Sequence, residues 1–354
     1  MLLSLIVFAF VFSLVILVHE VGHYALARRH DIKVLEFGIG YPPRLRTLAV
    51  RNDVEYTLNA LPIGGFVRML GEEDPSDPHS FAAQSAGVRI NTLLAGSVMN
   101  LILAAALFAG VFMLGEQIVV GKVVVDSVAD NSPAERAGLL PGDVVTFVQE
   151  QPIQDTMQLV ERLRAAVGQD VRLTLLRDGA QVVVYLTPRV RPPPGEGAVG
   201  IVISLAEGFE VRTLRHPIWE AIPLGIREVW SVLGDTIAGF LHMFRVGLSA
   251  SGIVGPVGIV QLGGAVAQTG LVNLMRFAAL LSVNLFIVNL LPIPALDGGR
   301  IAMILLEKVR GGRRFAPEQE GLVHFIGMLL LLAFTAVVSY YDLVRIFSSG
   351  SAAP

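Results

Sequence analysis

The stretch Val18-His19-Glu20-Val21-Gly22-His23 decides the fold of this chain, because it puts three ionisable side chains at the end of an apolar run. In a helix, His19 and His23 are four residues apart and project from one face, where their imidazoles can bind one metal ion. Glu20 then stands beside that ion as a base, the pattern typical of a zinc hydrolase. Residues 2–18 carry no charge and continue into a run long enough for a bilayer span of about 20 residues. We therefore predict a metal site inside a membrane helix.

A chance match is the alternative, because a five-letter motif alone carries a real false-positive risk. An ionisable residue inside a membrane span costs at least about 2.5–3.5 kcal/mol on insertion scales. Three such residues so close together are difficult to explain as packing. The context therefore favours a functional site.

The composition is that of a membrane protein. Of 354 residues, 53% are hydrophobic and 16% are charged, and a mean hydropathy of +0.63 is too apolar for an ordinary soluble chain of this size. The net charge of −3 argues against a nucleic-acid partner. Because the chain has no cysteine, a thiolate metal ligand and a cysteine nucleophile are excluded.

Four apolar stretches predict four membrane spans, at residues 2–26, 90–114, 271–291 and 321–343. Basic residues gather after the first span, at Arg28, Arg29, His30, Lys33, Arg44, Arg46, Arg51, Arg68 and Arg89. By the positive-inside rule this side is cytoplasmic, so the first span runs inward and the metal site lies near the cytoplasmic leaflet. We expect an N-terminal membrane part at residues 1–115 and a C-terminal membrane part at residues 271–347.

Between the first two spans, residues 34–70 contain turn signals and two β-rich runs, at 54–58 and 66–70. This pattern predicts a small β-sheet that lies at the cytoplasmic face of the membrane or dips into it. A plain polar loop is the alternative, because strand predictions for such short runs are weak.

Residues 117–188 have the character of a soluble α+β domain. Ser132 and Glu135 form a capping box for a short helix, and the Asp178-Gly179 turn joins two alternating strands. The order of strands and helices resembles a bacterial PDZ domain, which implies that the domain binds peptide ends by strand addition. Since it follows an outward span, we expect this domain on the outer side of the membrane.

Residues 189–270 are expected to connect this domain to the C-terminal membrane part. A proline-rich run at 189–197 indicates a semi-rigid linker. Residues 217–247 combine one polar and one apolar face, which is typical of an amphipathic helix lying in the membrane interface. The apolar connector at 252–264 has no assigned conformation.

The third span leads into a segment whose prolines and glycines break helix geometry just where Asp297 appears. A hydrolytic zinc typically has three protein ligands and one open position for water. His23 and Asp297 both come shortly before basic residues on inward-running spans, so their depths match. We therefore predict Asp297 as the third ligand, with an ordinary membrane aspartate paired to Arg300 as the alternative.

A polar amide, Asn100, lies in the middle of the second span. Such a side chain either hydrogen-bonds a neighbouring helix or reaches the active site, and composition does not separate the two. We therefore keep Asn100 as a candidate substrate contact.

The histidine motif, the single PDZ-like module and the segment from Asn289 through Pro292 to Asp297-Gly298 together resemble the site-2 protease family of intramembrane zinc metalloproteases. This is peptidase family M50, and the similarity is greatest to its bacterial RseP-type regulators. The resemblance covers nearly the whole chain. It implies Zn²⁺ as the cofactor, His19, His23 and Asp297 as its ligands, and Glu20 as the catalytic acid and base. It further implies that Asn289 handles the substrate and that a clamp formed by Gly64, Gly65 and Phe66 holds the substrate as an added strand.

The expected fold is an α-helical polytopic membrane protein with a membrane-associated β-sheet and an inserted α+β PDZ domain, placed in the bacterial inner membrane. The resemblance implies cleavage of the transmembrane segments of single-pass membrane proteins, such as an anti-sigma factor or a signal-peptide remnant. A zinc transporter and a catalytically silent scaffold whose PDZ domain tethers a membrane partner are the alternatives. Four spans without an internal repeat, and a base beside a single metal site, argue against a transporter.

Overall fold

The structure, a computed structural model, describes residues 2–193, 195–206, 208–246, 255–311 and 315–350. Its helices are α1 Leu2–Arg29, α2 Ala86–Leu114, α3 Pro133–Arg136, α4 Thr156–Ala165, α5 Ile218–Val246, α6 Pro256–Gln268, α7 Leu271–Leu290, α8 Asp297–Val309 and α9 Pro317–Gly350. Its strands are β1 Val34–Arg51, β2 Val54–Met69, β3 Glu116–Val120, β4 Val123–Val128, β5 Val144–Val148, β6 Gln151–Pro152, β7 Val171–Arg177, β8 Ala180–Leu186, β9 Ile201–Leu205 and β10 Glu210–Leu214. The chain forms two compact units, one of Met1–Gly115 with Arg215–Pro354 and the other of Glu116–Leu214.

Among the described residues, four helices are long and apolar enough to cross a membrane: Leu5–Arg29, Ala86–Leu114, Leu271–Leu290 and Glu318–Phe347. Each satisfies the length that a hydrocarbon core of about 30 Å requires. They lie at the four positions that the sequence predicted, so the predicted fold class is confirmed.

Two glycines allow α1 and α2 to cross at close range. A Cβ atom on Gly22 would lie 2.3 Å from the carbonyl oxygen of Ala95, and one on Gly96 would lie 2.4 Å from Nε2 of His23. Small residues at a membrane helix crossing let the backbones approach closely. This crossing brings the histidines of α1 against the middle of α2.

The first two strands form a bent antiparallel sheet, so the predicted β-region is confirmed over a plain loop. Residues 34–39 pair on one side with 65–69 and on the other side with 54–58, which in turn pair with 46–51. The segment 65–69 is therefore one edge of this sheet. It packs against α1, because a Cβ on Gly65 would lie 2.6 Å from the Leu17 side chain. How deeply the sheet enters a membrane remains a prediction.

The second unit contains an antiparallel sheet in the order β8-β7-β5-β4-β9, with β6 paired to β5. Its buried core consists of aliphatic side chains from the sheet and both helices, including Val123, Leu159 and Leu173. The predicted cap is present, since the amide of Glu135 donates to Oγ of Ser132. The hairpin at Asp178-Gly179 joins β7 to β8 as expected.

This unit does not end at residue 188, and residues 189–197 are not a spacer between domains. The Arg189 amide donates to the Ala198 carbonyl at 2.7 Å, and the Arg189 guanidinium pairs with Glu196 at 2.6 Å, so the proline-rich run closes on itself as a loop. The chain then returns as β9, which pairs with β4, while β10 pairs with β3. The two short strands β9 and β10, which complete the unit, were not predicted from the sequence, because they follow the proline-rich run.

The predicted amphipathic helix is present as α5, and one side of it packs against α2. Val229 is buried with Ala104 and Phe108, and a Cβ on Gly225 would lie 2.7 Å from the Ala105 carbonyl oxygen. An orientation in the membrane interface remains a prediction for the exposed side. In the unassigned connector, residues 256–268 form α6, while the part before residue 255 lies outside the described residues.

Candidate metal centre

Three potential ligand atoms converge where α1 meets the start of α8. Nε2 of His19 lies 3.0 Å from Nε2 of His23. Oδ2 of Asp297 lies 3.1 Å from the first of these nitrogens and 3.3 Å from the second. Both histidines are buried, at 6% exposure each. Across the described residues this is the one group of His, Asp or Glu side chains whose ligand atoms meet closely enough to hold a metal ion.

The spacing and the chemistry of these atoms fit a tetrahedral metal ion. Two atoms that bind one zinc at about 2.0–2.2 Å lie roughly 3.3–3.6 Å apart, close to the distances observed. Nδ1 of His23 lies 2.9 Å from the Thr92 carbonyl, which can only accept, so the imidazole proton belongs on Nδ1. Nε2 of His23 is then unprotonated, and its lone pair faces two other lone-pair atoms, Nε2 of His19 and Oδ2 of Asp297. These three atoms repel one another unless a cation lies between them.

The turn before α8 sets the position of Asp297. Ala295 has a φ of 79°, and its amide donates to Nδ1 of His324 at 3.0 Å. Gly298 and Gly299 let the first turn of α8 pack directly on residues 290–293, because a Cβ on either would lie within 2.4 Å of a backbone carbonyl there. Asp297 thereby becomes the first residue of α8 and faces both imidazoles.

Arg300 does not pair with Asp297, which was the alternative to metal binding. Its guanidinium lies 2.6 Å from Oε2 of Glu72, and the other carboxylate oxygen of Glu72 accepts the Met69 amide. Glu72 therefore links α8 to the end of β2. Sequence patterns did not predict this pair, because the two residues are 228 positions apart.

Glu20 lies beside the three ligand atoms without belonging to the group. Its Oε2 accepts the backbone amide of Val67 at 3.0 Å. Val67 belongs to the edge segment 65–69, so this amide points away from the sheet and towards the metal centre. The carboxylate of Glu20 is thus held between the metal centre and an exposed strand edge.

A cavity of about 350 Å³ opens onto this centre. Its walls combine charged residues with apolar ones from α1, β1, β2 and α7. The residues include His19, Glu20, His23, Tyr41, Gly65, Phe66, Val67, Glu72, Leu285, Asn289, Asp297 and Arg300.

The other predicted substrate contacts fall in different surroundings. Gly65, Phe66 and Asn289 line the cavity, whereas Gly64 does not. The Gly64 amide donates to Oγ of Ser13 at 3.0 Å, which ties β2 to α1.

The expectation that Asn100 contacts substrate does not fit its position. Its side chain is fully buried and does not line the cavity, so it cannot reach a bound peptide. Its Nδ2 lies 3.3 Å from Nδ1 of His19. Nδ2 of Asn289 also approaches that imidazole, at 3.5 Å from each ring nitrogen. Of the two possibilities left open, both apply, because the residue of the neighbouring helix that Asn100 contacts is His19, which belongs to the metal centre.

Comparison with known proteins gives consistent matches over most of the chain. Residues 7–334 match the model of peptidase family M50. A predicted zinc metalloprotease of Clostridium acetobutylicum is 32% identical over 342 residues, which cover 96% of this chain and 97% of the relative. Zinc metalloprotease RasP of Geobacillus kaustophilus is 29% identical and is covered to 98%, with 97% of this chain aligned. The PDZ domain of an SdrC-like protein from Listeria monocytogenes matches 25% of this chain and 93% of that domain, at 19% identity and a TM-score of 0.22.

Proposed function

Because the chain belongs to peptidase family M50, a family of zinc metalloendopeptidases, we propose that His19, His23 and Asp297 hold its zinc and Glu20 is its catalytic acid and base. The protein is a bacterial membrane protein and an intramembrane zinc protease. We further propose that it cleaves the transmembrane segments of single-pass membrane proteins. The observation that carries this proposal is the convergence of three ligand atoms within 3.3 Å of one another, next to Glu20.

Zinc, when bound, supplies a Lewis acid that polarises a carbonyl and lowers the pKa of bound water towards about 7. Glu20 takes a proton from the attacking water and later returns it to the leaving amine nitrogen. The Val67 amide fixes one oxygen of this carboxylate and leaves the other free for proton transfer. Water reaches Glu20 through the cavity that both residues line.

The edge segment 65–69 is suited to holding an unwound substrate. A transmembrane helix must expose its backbone before cleavage, and each unpaired polar group in lipid costs several kcal/mol. Gly65, Phe66 and Val67 line the cavity, and no strand among the described residues pairs with their outer side, where the Val67 amide donates to Glu20. Strand addition at this edge supplies the missing hydrogen bonds. Asn289, which lines the same cavity and lies 3.5 Å from the His19 imidazole, would then contact the substrate near the scissile bond.

The unit Glu116–Leu214 serves, in this proposal, as a PDZ domain that binds peptide ends. Strand β9 pairs with β4, no strand in the described part of the chain pairs with its other edge, and α4 lies next to β9. Exposed apolar side chains line this edge and helix, with Val202 at 59% and Met157 at 72% exposure. A peptide end added to β9 would cover them. The basic residues after α1 support an outer position for this unit and a metal centre near the cytoplasmic leaflet.

The experiment that tests this function is cleavage of a purified single-pass membrane protein by the full-length enzyme in proteoliposomes. An anti-sigma factor and a signal-peptide remnant are the substrate classes to try first. Glu20→Gln is expected to lose about 10²–10⁴-fold in rate while retaining its zinc. Glu150→Gln, which changes an exposed carboxylate in the other unit, is the matched control and is expected to cleave normally. Wild-type cleavage by Glu20→Gln would contradict the proposal and favour a scaffold or a transporter.

A further inference from the structure

One face of α2 surrounds the two metal-binding histidines. Thr92, Gly96 and Asn100 are spaced four residues apart and so lie on one side of the helix. The Thr92 carbonyl contacts Nδ1 of His23, and Asn100 contacts Nδ1 of His19. Gly96, between them, has no side chain, and the imidazoles occupy the space that one would fill. This α2 face therefore contacts both rings at Nδ1, the nitrogen that does not face the metal centre.

The two histidines are oriented by different kinds of group. His23 is held by a backbone carbonyl, which remains whatever side chain occupies position 92. For His19, the groups that approach Nδ1 are the side chains of Asn100, at 3.3 Å, and Asn289, at 3.5 Å. Asn289 lines the cavity and so is open to substrate, whereas Asn100 is fully buried. Asn100 is therefore the permanent neighbour of His19.

Because Nε2 of His19 faces the other two ligand atoms, the ring proton belongs on Nδ1, and the amide atom of Asn100 that faces Nδ1 must be an acceptor. With Nδ2 towards His19, Oδ1 is buried and has no hydrogen-bond partner among the described residues. The amide oxygen and nitrogen exchange places by a half-turn of the side chain, and their assignment follows from the hydrogen-bond network. With Oδ1 facing His19, this oxygen accepts a hydrogen bond from Nδ1–H of His19. Nε2 of His19 is then unprotonated and has a lone pair available for the metal. That is the tautomer the Thr92 carbonyl imposes on His23.

The helix holds Asn100 firmly enough for this role. The hydroxyl of Ser282 on α7 donates to the backbone carbonyl of Asn100 at 2.8 Å. Both residues are fully buried. The position of the carboxamide relative to α1 is thus set by the packing of three helices.

We propose that Asn100 is a positioning residue whose carboxamide oxygen accepts the Nδ1–H of His19 and so orients Nε2 towards the metal ion. This inference rests on the proposed ligand set. Outer hydrogen bonds of this kind fix the tautomer and ring orientation of a ligating histidine, and losing one typically weakens metal affinity 10–100-fold.

Zinc affinity of the purified full-length protein, measured by competition with a chelator, tests the proposal without relying on activity. Asn100→Leu keeps the volume and removes the acceptor, so its dissociation constant for zinc is expected to rise 10–100-fold. Asn100→Asp keeps an acceptor oxygen, so its affinity is expected to equal or exceed that of the wild type. Ser97→Ala is the matched control: it removes a buried hydroxyl of the same helix that has no hydrogen-bond partner among the described residues, so its affinity is expected to stay unchanged.

Two results would overturn the proposal. One is an affinity for Asn100→Leu within twofold of the wild type. The other is a loss of affinity in Asn100→Asp, and this arm decides the matter if Asn100→Leu does not fold. His19→Ala separates this proposal from the one before it: if that variant binds zinc as tightly as the wild type, the ligand set itself is wrong.

Discussion

The guanidinium of Arg300 lies 2.6 Å from the carboxylate of Glu72, so the helix that begins with Asp297 is tied to the end of β2. Glu72 also accepts the amide of Met69, the last residue of that strand. The pair thus joins a metal ligand to the strand edge proposed to hold the substrate. Both side chains line the cavity and are partly buried.

Breaking this pair should disturb catalysis more than metal binding. We expect Arg300→Gln to lower kcat/KM about tenfold, equivalent to about 1.4 kcal/mol of transition-state stabilisation, because the edge segment is no longer fixed relative to Asp297. Zinc affinity should change little, since neither residue contacts the ligand atoms. Arg172→Gln breaks an exposed pair with Glu150 and serves as the control, with no expected effect. Equal kinetics in Arg300→Gln and the wild type would show that the link is not needed.

Gly96 should be intolerant of any side chain. In Gly96→Ala the new Cβ would lie 2.4 Å from Nε2 of His23 and 2.8 Å from Cε1 of His19, so both imidazoles must move. We expect at least a tenfold loss of zinc affinity, measured by chelator competition. Gly87→Ala on the same helix meets no atom within 4 Å and should bind zinc normally. A Gly96→Ala enzyme with full affinity would mean that the ligand atoms tolerate displacement.

The stability of the second unit should depend on pH through Asp143. Burial would raise the pKa of this carboxyl, but the paired hydrogen bonds from Arg177 and the amide of Leu140 outweigh it and hold the pKa below its usual value. The carboxyl of Asp143 therefore binds a proton more weakly in the folded state than in the unfolded state. Stability from this group is complete above the ordinary aspartate pKa of about 4 and is lost as the pH falls through the lower folded value.

Asp143→Asn should remove that dependence. We expect it to destabilise the unit by about 1–3 kcal/mol at neutral pH, because Arg177 loses its charged partner. Hydrogen exchange of the β5 and β7 amides in the full-length protein measures the difference. The gap between wild type and variant should narrow below about pH 4. If the stability difference between the wild type and Asp143→Asn stayed constant as the pH fell below about 4, Asp143 would not be the source of the pH dependence.

Local periodicity accounts for the parts of this protein that could be predicted from its sequence. The four-residue spacing of His19 and His23 and the length of the apolar runs are properties of single helices. Asp297 could be added because span direction and basic residues set its depth. The capping box at Ser132 is likewise contained within a few residues.

The remaining features depend on contacts between distant segments. Thr92 contacts His23 through its backbone carbonyl, and every residue type has such a carbonyl, so the sequence cannot identify this contact. Gly96 is required because α1 crosses α2 at that point. Strand β9 was not predicted, because it follows a proline-rich segment that resembled a linker. The hydrogen bond between Arg189 and Ala198 that makes this segment a loop cannot be read from the sequence. Asn100 was identified as a polar residue in a span, but only its burial against His19 separates a positioning role from a substrate contact.

The central claim is that two histidines and one aspartate bind a single zinc ion, and X-ray absorption at the zinc edge of the purified full-length protein tests it most directly. The account predicts one zinc per chain, with two imidazole nitrogens and carboxylate oxygen at about 2.0–2.2 Å. In Asp297→Ala the bound zinc should be largely lost. Zinc bound at full occupancy in that variant, or a zinc shell with fewer than two imidazoles in the wild type, would contradict the account.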